Sequence, residues 1–226
     1  MRSPRRKAAR TDPRVAEALA WLKKHSSKSV RDGMSRYAIP NDHALGVKMG
    51  DIQKLARLLG RDHDLALALW KTGVYEARML YAYVEDAPQV TRTLMHAQAL
   101  EFDNWAVCDT LCFALWVRTP HAFAMVRKWA GHRDEFVKRA AFALLASLAL
   151  KHEESGDGEY LAALPLIEKA AGDDRNFVMK GVNWALRGIG RRNAKLRKAA
   201  VALAKKLADS EDPAPRWIGK DALRQL

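Results

Sequence analysis

Apolar residues return every three or four positions along nearly the whole chain, and alternating β-branched runs are absent, so the pattern predicts helices from end to end. The periodic stretches lie near 13–25, 28–37, 50–60, 63–71, 74–85, 88–100, 103–117, 121–131, 134–153, 159–171, 175–190, 194–208 and 214–225. Their punctuation is physical. Asp12-Pro13 supplies a capping carboxylate and a pre-set φ for a first turn, Gly60 and Gly73 suit helix ends, and Asp173-Asp174 precede another helix start. Connections of about two to six residues make consecutive helices antiparallel neighbours. Many short helices on tight turns predict an all-α fold, an α-solenoid of antiparallel helix pairs, with a degenerate repeat of roughly 30–45 residues. No shift in composition marks a boundary, so one domain is expected over 13–226, preceded by a basic flexible tail at 1–12.

The helix predicted over 103–117 is unusual. At 100° per residue Val107, Leu111 and Ala114 form one apolar stripe. Trp105, Asp109, Cys112 and Trp116 form a second stripe on nearly the opposite side. A carboxylate between two indoles suits a cationic, flat or sugar-like group. A helix packed on both faces, with Asp109 capping a neighbour, would show the same pattern.

A second feature lies on the helix predicted over 175–190. Lys180, Trp184, Arg187 and Arg191 share one face, while Phe177, Val178, Val182 and Leu186 lie away from it. Cations flanking an indole fit a nucleic-acid surface, in which phosphate meets charge and the ring meets sugar or base. A core tryptophan with snorkelling neighbours is the competing account. Lys138 and Arg139 form another cationic pair upstream, by itself an ordinary solvated edge. The Gly188-Ile-Gly190 segment resembles a phosphate-binding hairpin, but too little chain follows to complete such an enzyme, and it reads better as a helix end.

Charge narrows the choice of partner. The chain of 226 residues carries 39 Lys and Arg against 26 Asp and Glu, a formal net charge of +13, which points to a polyanion and in the first place to nucleic acid. No apolar run reaches the roughly 20 residues of a membrane span, and the basic N-terminus lacks the apolar segment of a secretory signal. The two cysteines, Cys108 and Cys112, stand one helical turn apart, a poor geometry for a disulfide, so core thiols in a reducing cytoplasm are expected. There is no His-x-x-x-His pair, ligand cluster or Gly-rich phosphate loop, and no metal or other cofactor is expected.

Several short motifs occur in one order: Met34-Ser-Arg36-Tyr37, Leu45-Gly46-Val47-Lys48, Trp105-x-x-x-Asp109, Lys138-Arg139-Ala140-Ala141 and Lys180-Gly-Val-Asn-Trp184-Ala-Leu-Arg187. Together they closely resemble the AlkD-like DNA alkylation repair proteins, alkylpurine DNA glycosylases built from HEAT-like repeats curved around a basic concave surface. The resemblance runs from about residue 14 to past 200. It implies that Trp105, Asp109 and Trp184 face the damaged nucleotide as catalytic residues, that Arg139 holds backbone phosphate, and that Tyr37 lies at the DNA surface. Lys138, Lys180, Arg187 and Arg191 complete the expected DNA contacts. Phe136 stands where the family often has tryptophan, an exchange of aromatic for aromatic. The segment around Trp217 falls outside the motifs.

The chemistry follows from the lesion. An N3- or N7-alkylated purine is already cationic, so its departure needs no general acid. What helps is negative charge where the deoxyribose becomes oxocarbenium-like, as in glycosidases. Asp109 would supply that charge and orient water, and the indoles would attract the cationic sugar and lesion through their π faces. The expected partner is double-stranded DNA containing alkylated purines, the expected state a cytoplasmic monomer associated with the nucleoid when bound, and no base-flipping pocket is implied. A non-catalytic HEAT-like protein that recognises distorted or branched DNA, and a helical scaffold for another protein, are the competing classes.

Overall fold

The computed structural model describes residues 12–152 and 154–226, so all but Asp12 of the expected tail lies outside the described residues, as does position 153. Thirteen α-helices and three short 3-10 turns are described, with no strand among them. They are α1 (Pro13–Lys24), α2 (Lys28–Gly33), α3 (Met49–Leu59), α4 (His63–Trp70), α5 (Tyr75–Val84), α6 (Arg92–Ala99), α7 (Trp105–Ala114), α8 (Ala122–Trp129), α9 (Glu135–Lys151), α10 (Asp157–Ala170), α11 (Asn176–Gly190), α12 (Ala194–Ala208) and α13 (Pro213–Gln225). Each predicted helix has a counterpart, and the differences lie at the ends. The stretch 28–37 is a six-residue helix followed by a 3-10 turn, Met34–Tyr37. The stretch 103–117 also divides: α7 ends at Ala114, Leu115 leaves helical geometry at φ −122°, and Trp116–Arg118 form a separate 3-10 turn. No helix among the described residues is long and apolar enough to cross a membrane.

Contacts group the chain into two compact units, divided after Asp86. In the first, α5 packs on α3 and α4, and α1 packs on both of these. Asp12 caps α1 by accepting from the Arg14 amide at 2.9 Å, and the Arg14 side chain pairs with Asp62, the cap of α4. The Leu45-Gly46-Val47 loop is organised around one buried carboxylate, Glu76 of α5. Its oxygens accept the amides of Leu45, Gly46 and Val47 at 2.9, 2.6 and 3.2 Å, so burial of the charge is matched by three donors. Gly46 adopts φ +83°, and a Cβ there would meet the backbone of Ser27 and Arg31.

In the second unit α7, α9, α11 and α13 pack side by side in one row, and α8, α10 and α12 form a row against them. These antiparallel pairs are the units of an α-solenoid. The central helix α9 is buried on almost all sides from Val137 to Ala149, and its alanines let neighbours approach. Gly188 of α11 sits so close that an added Cβ would lie 3.3 Å from the Ala149 methyl. Trp116, Trp129, Phe142 and Tyr160 are fully buried, with Trp116 and Trp129 in contact at 5.3 Å between ring centroids. Trp116 is therefore core, and the second stripe read on α7 does not extend to it. Cys108 and Cys112 are buried free thiols whose Sγ atoms donate to the Phe136 and Ala140 carbonyls of α9.

Replacing Gly46 by alanine combines a left-handed φ with a clash against backbone that cannot move aside. The expected loss is at least about 2 kcal/mol in denaturant unfolding, whereas Gly33→Ala, at helical φ with open space around it, should be neutral or gain up to about 1 kcal/mol.

Candidate nucleic-acid interface and candidate active site

The first turns of α7, α9 and α11 begin at the same edge of the second unit. Asn104 caps α7 by accepting from the Val107 amide at 3.0 Å, which fixes the helix start and brings Trp105 and Asp109 onto its partly exposed side. Asp134 caps α9 by accepting the Phe136 and Val137 amides. These caps set the axial position of Asp109 and Arg139.

The two residues form a fork-to-fork ion pair. Arg139 Nε donates to Asp109 Oδ1 at 2.9 Å and Nη2 to Oδ2 at 2.7 Å, while Nη1 donates to the Phe177 carbonyl of α11 at 2.7 Å. Only 8% of the Arg139 side chain and 19% of the Asp109 side chain remain exposed, so the pair is shielded from bulk screening while Asp109 keeps limited contact with the surface. Burial raises the Asp109 carboxyl above the usual carboxylate range, and the Arg139 guanidinium offsets part of that rise. Burial opposes the charge on Arg139 too, yet Asp109 holds its pKa above the ordinary arginine value. Phe177, assigned by periodicity to the side away from the cations, lies over this pair. Its ring is 5.9 Å from the guanidinium carbon and 5.4 Å from the Phe136 ring. The aromatic character expected of position 136 thus has a partner in Phe177.

The expected DNA contacts fall into three environments. Lys138 is not presented as a free cation: its Nζ pairs with Asp173 at 2.7 Å, and Arg175 closes on the same carboxylate at 2.6 Å. The Arg175 hydrogen bonds and then Lys138 hold Asp173 well below the usual carboxylate range. Arg139, the expected phosphate ligand, is likewise committed to Asp109. Lys180 is exposed on α11. Gly181 beside it faces α9, where an added Cβ would lie 3.6 Å from Arg139 Cγ, so α11 crosses α9 at the level of the ion pair. Trp184 stands three residues on, about 4.5 Å further along the axis. It is half-buried and lines a hollow of about 570 Å³ with Ala146, Leu150, Arg187 and Arg191. Arg187 Nη1 donates to Gln225 Oε1 of α13, and Arg191 reaches the same residue at 3.4–3.5 Å. Arg187 Nε is buried with no hydrogen-bond partner among the described residues, and burial lowers the Arg187 pKa. Tyr37 belongs to the first unit, where it is 66% exposed at the end of the Met34–Tyr37 turn.

Sequence reasoning overlooked Arg192. Its guanidinium donates to the Ala149 carbonyl at 2.8 Å and the His152 carbonyl at 3.1 Å, and it stacks over Tyr160 at 4.3 Å. It closes the C-terminal end of α9, where helix carbonyls lack intrahelical donors. The adjacent Gly188-Ile-Gly190 segment is the last turn of α11, as its reading as a helix end required. An arginine following a glycine-containing helix end carries no signal of such a partner, forty residues away.

Set against known proteins, the chain matches the family model described as DNA alkylation repair enzyme over residues 18–226. A solved structure described as a new family of proteins related to the HEAT-like repeat DNA glycosylases, with affinity for branched DNA structures, superposes with a TM-score of 0.77. At 15% identity it covers 93% of this chain and 94% of its own, a likeness of fold. A designed armadillo repeat protein covers 87% of this chain at 16% identity, with a TM-score of 0.37 that carries no argument. No curated protein matches by sequence. With nearly its whole length matched, ordered helix pairs included, the chain belongs to the DNA alkylation repair enzyme family.

Proposed function

We propose that the protein is a DNA glycosylase of base excision repair that hydrolyses the N-glycosidic bond of cationic N3- and N7-alkylated purines in duplex DNA. The observation that carries this reading is a buried carboxylate, Asp109, held in one orientation by Arg139 beside the half-buried Trp105. A carboxylate fixed before substrate arrives needs no reorganisation when positive charge develops on the deoxyribose. The carboxylate is the acceptor for the sugar cation or for the attacking water. Arg139 neutralises much of the Asp109 charge at long range, so the stabilisation acts at short range, on atoms brought against the carboxylate. The protein binds as a monomer, without a cofactor. Trp105 and Trp184 offer indole faces to the lesioned nucleotide. Lys180, Arg187, Arg191 and Tyr37 take backbone. Without a general acid, neutral lesions are poor substrates.

The second reading is a non-catalytic protein that recognises distorted or branched DNA. It is favoured by the extent to which Arg139 already satisfies Asp109 and by the binding described for the structural neighbour.

Release of N7-methylguanine from a single-lesion duplex separates the two. Wild type is expected to release the base. Asp109→Asn should fall by about 10²–10³-fold in single-turnover rate, with duplex affinity within about two-fold. Excision by the mutant at the wild-type rate removes Asp109 from the chemistry, and no release by wild type with intact binding favours the second reading.

Acidity provides a separate check. The reaction needs ionised Asp109, whose pKa is raised, so the rate should decline on the acid side at a pH above that of an exposed aspartate. Arg139→Gln removes the charge that opposes this rise, so its acid limb should move to still higher pH. A pH–rate profile of Arg139→Gln superimposable on wild type after scaling would show that the pair does not set the charge state of Asp109.

A further inference from the structure

The turn between α8 and α9 and the end of α10 line a second hollow in the second unit, of about 560 Å³. Arg127, Lys128, His132, Arg133 and Lys169 line it around Leu166, and no carboxylate contributes to the lining. Its charge is not balanced locally. Arg127 pairs with Glu159 at 2.7 Å, but among the described residues no carboxylate pairs with Lys128, Arg133 or Lys169. The nearest acidic groups in sequence are occupied elsewhere. Asp134 caps α9, Glu135 accepts the Phe177 amide, Asp173 holds Lys138 and Arg175, and Glu168 pairs with Lys206. Like charges gathered without counter-charge repel one another, and an anion relieves that repulsion.

The position of the hollow is informative. Arg175 Nη1 donates to the Arg133 carbonyl, so the rim of the hollow is bonded to the turn that starts α11. Two residues further along stands Phe177, whose carbonyl holds Arg139. The hollow and the Asp109–Arg139 pair therefore lie at the same edge of the second unit, joined through the start of α11. A nucleic acid lying across α7, α9 and α11 and continuing past that edge brings backbone phosphate to the hollow.

We propose that this hollow is a second binding site for DNA backbone phosphate, distinct from the surface around Trp184 and gripping the segment that leaves the candidate active site. The inference rests on the reading that the chain binds DNA, and not on its being a glycosylase.

The test uses the full chain and a lesion-free duplex of about 30 base pairs, with affinity measured across a salt series. Arg133→Ala with Lys169→Ala removes two lining cations, one from the α8–α9 turn and one from α10. Lys198→Ala with Lys205→Ala removes two exposed cations from α12 and controls for net charge. The hollow variant is expected to weaken binding on the order of ten-fold and to reduce the slope of log affinity against log salt by about 2, the control changing little in either. Equal losses in the two variants, or no loss in the hollow variant, overturn the proposal. N7-methylguanine release is read on saturating lesion duplex in the same samples. A wild type that binds but excises nothing defeats the glycosylase reading and leaves this site standing, whereas normal excision with an unchanged salt slope defeats this site alone.

Discussion

Arg139 is the constraint on which the candidate site depends. It rises from α9, a helix rich in alanine and leucine, and its guanidinium joins that helix to Asp109 of α7 and to a backbone carbonyl of α11. Charge so deeply placed is costly unless its hydrogen-bonding capacity is used, and here three bonds to two partners use it. Apolar contact fixes distance better than rotation or axial register; the Arg139 bonds, together with the Cys108 and Cys112 thiols on α9 carbonyls and the Phe177 amide on Glu135, lock the three helices near their first turns. The catalytic candidate is thus part of a joint in the architecture, and its orientation is as rigid as the packing around it.

Close packing is what lets one side chain span these helices. Gly181 lets α11 approach at the level of Arg139, and Gly188 lets it stay close beyond Ala146. Methyl-sized groups on both sides bring backbone near backbone, so the reach of an arginine suffices. The same closeness leaves Trp184 no room to enter the core. Its ring is left at the mouth of the hollow among arginines, which is the arrangement a nucleotide-facing indole requires.

Helical periodicity made the solenoid legible almost completely, because each helix buries one face and the turns carry capping residues such as Asn104, Asp134 and Asn193. It failed where a helix is apolar on more than one side. A wheel drawn over residues 103–117 cannot know that the backbone turns away at Leu115, and it therefore placed the buried Trp116 with the half-exposed Trp105. It also set Phe177 only on the side away from the cations, since one face label per helix leaves no category for a residue at a crossing point. The partners of Asp109, Lys138 and Arg192 stand 30 to 44 residues away in sequence, and no spacing rule reaches that far. The ordered family motifs did bring Asp109 and Arg139 into one list, as sugar-facing and phosphate-holding residues, without indicating that they hold each other.

That pairing alters what the net charge of +13 means. Of the cations nearest the candidate site, Arg139, Lys138 and Arg175 are tied to carboxylates and Arg192 to helix carbonyls. They are structural charges, weakly available to a ligand, and they stiffen the edge where α9 and α11 begin. The cations left without carboxylate partners are exposed groups such as Lys180 and those around the hollow between the α8–α9 turn and α10. On the proposed reading, long-range attraction for a polyanion and short-range chemistry would thus be carried by different residues. A neutralised ion pair does not repel nearby phosphates as an isolated aspartate would, and it keeps a carboxylate fixed in one orientation. A site proposed to draw in a polyanion and then stabilise positive charge on one of its sugars would have both demands answered by an arginine-clamped aspartate.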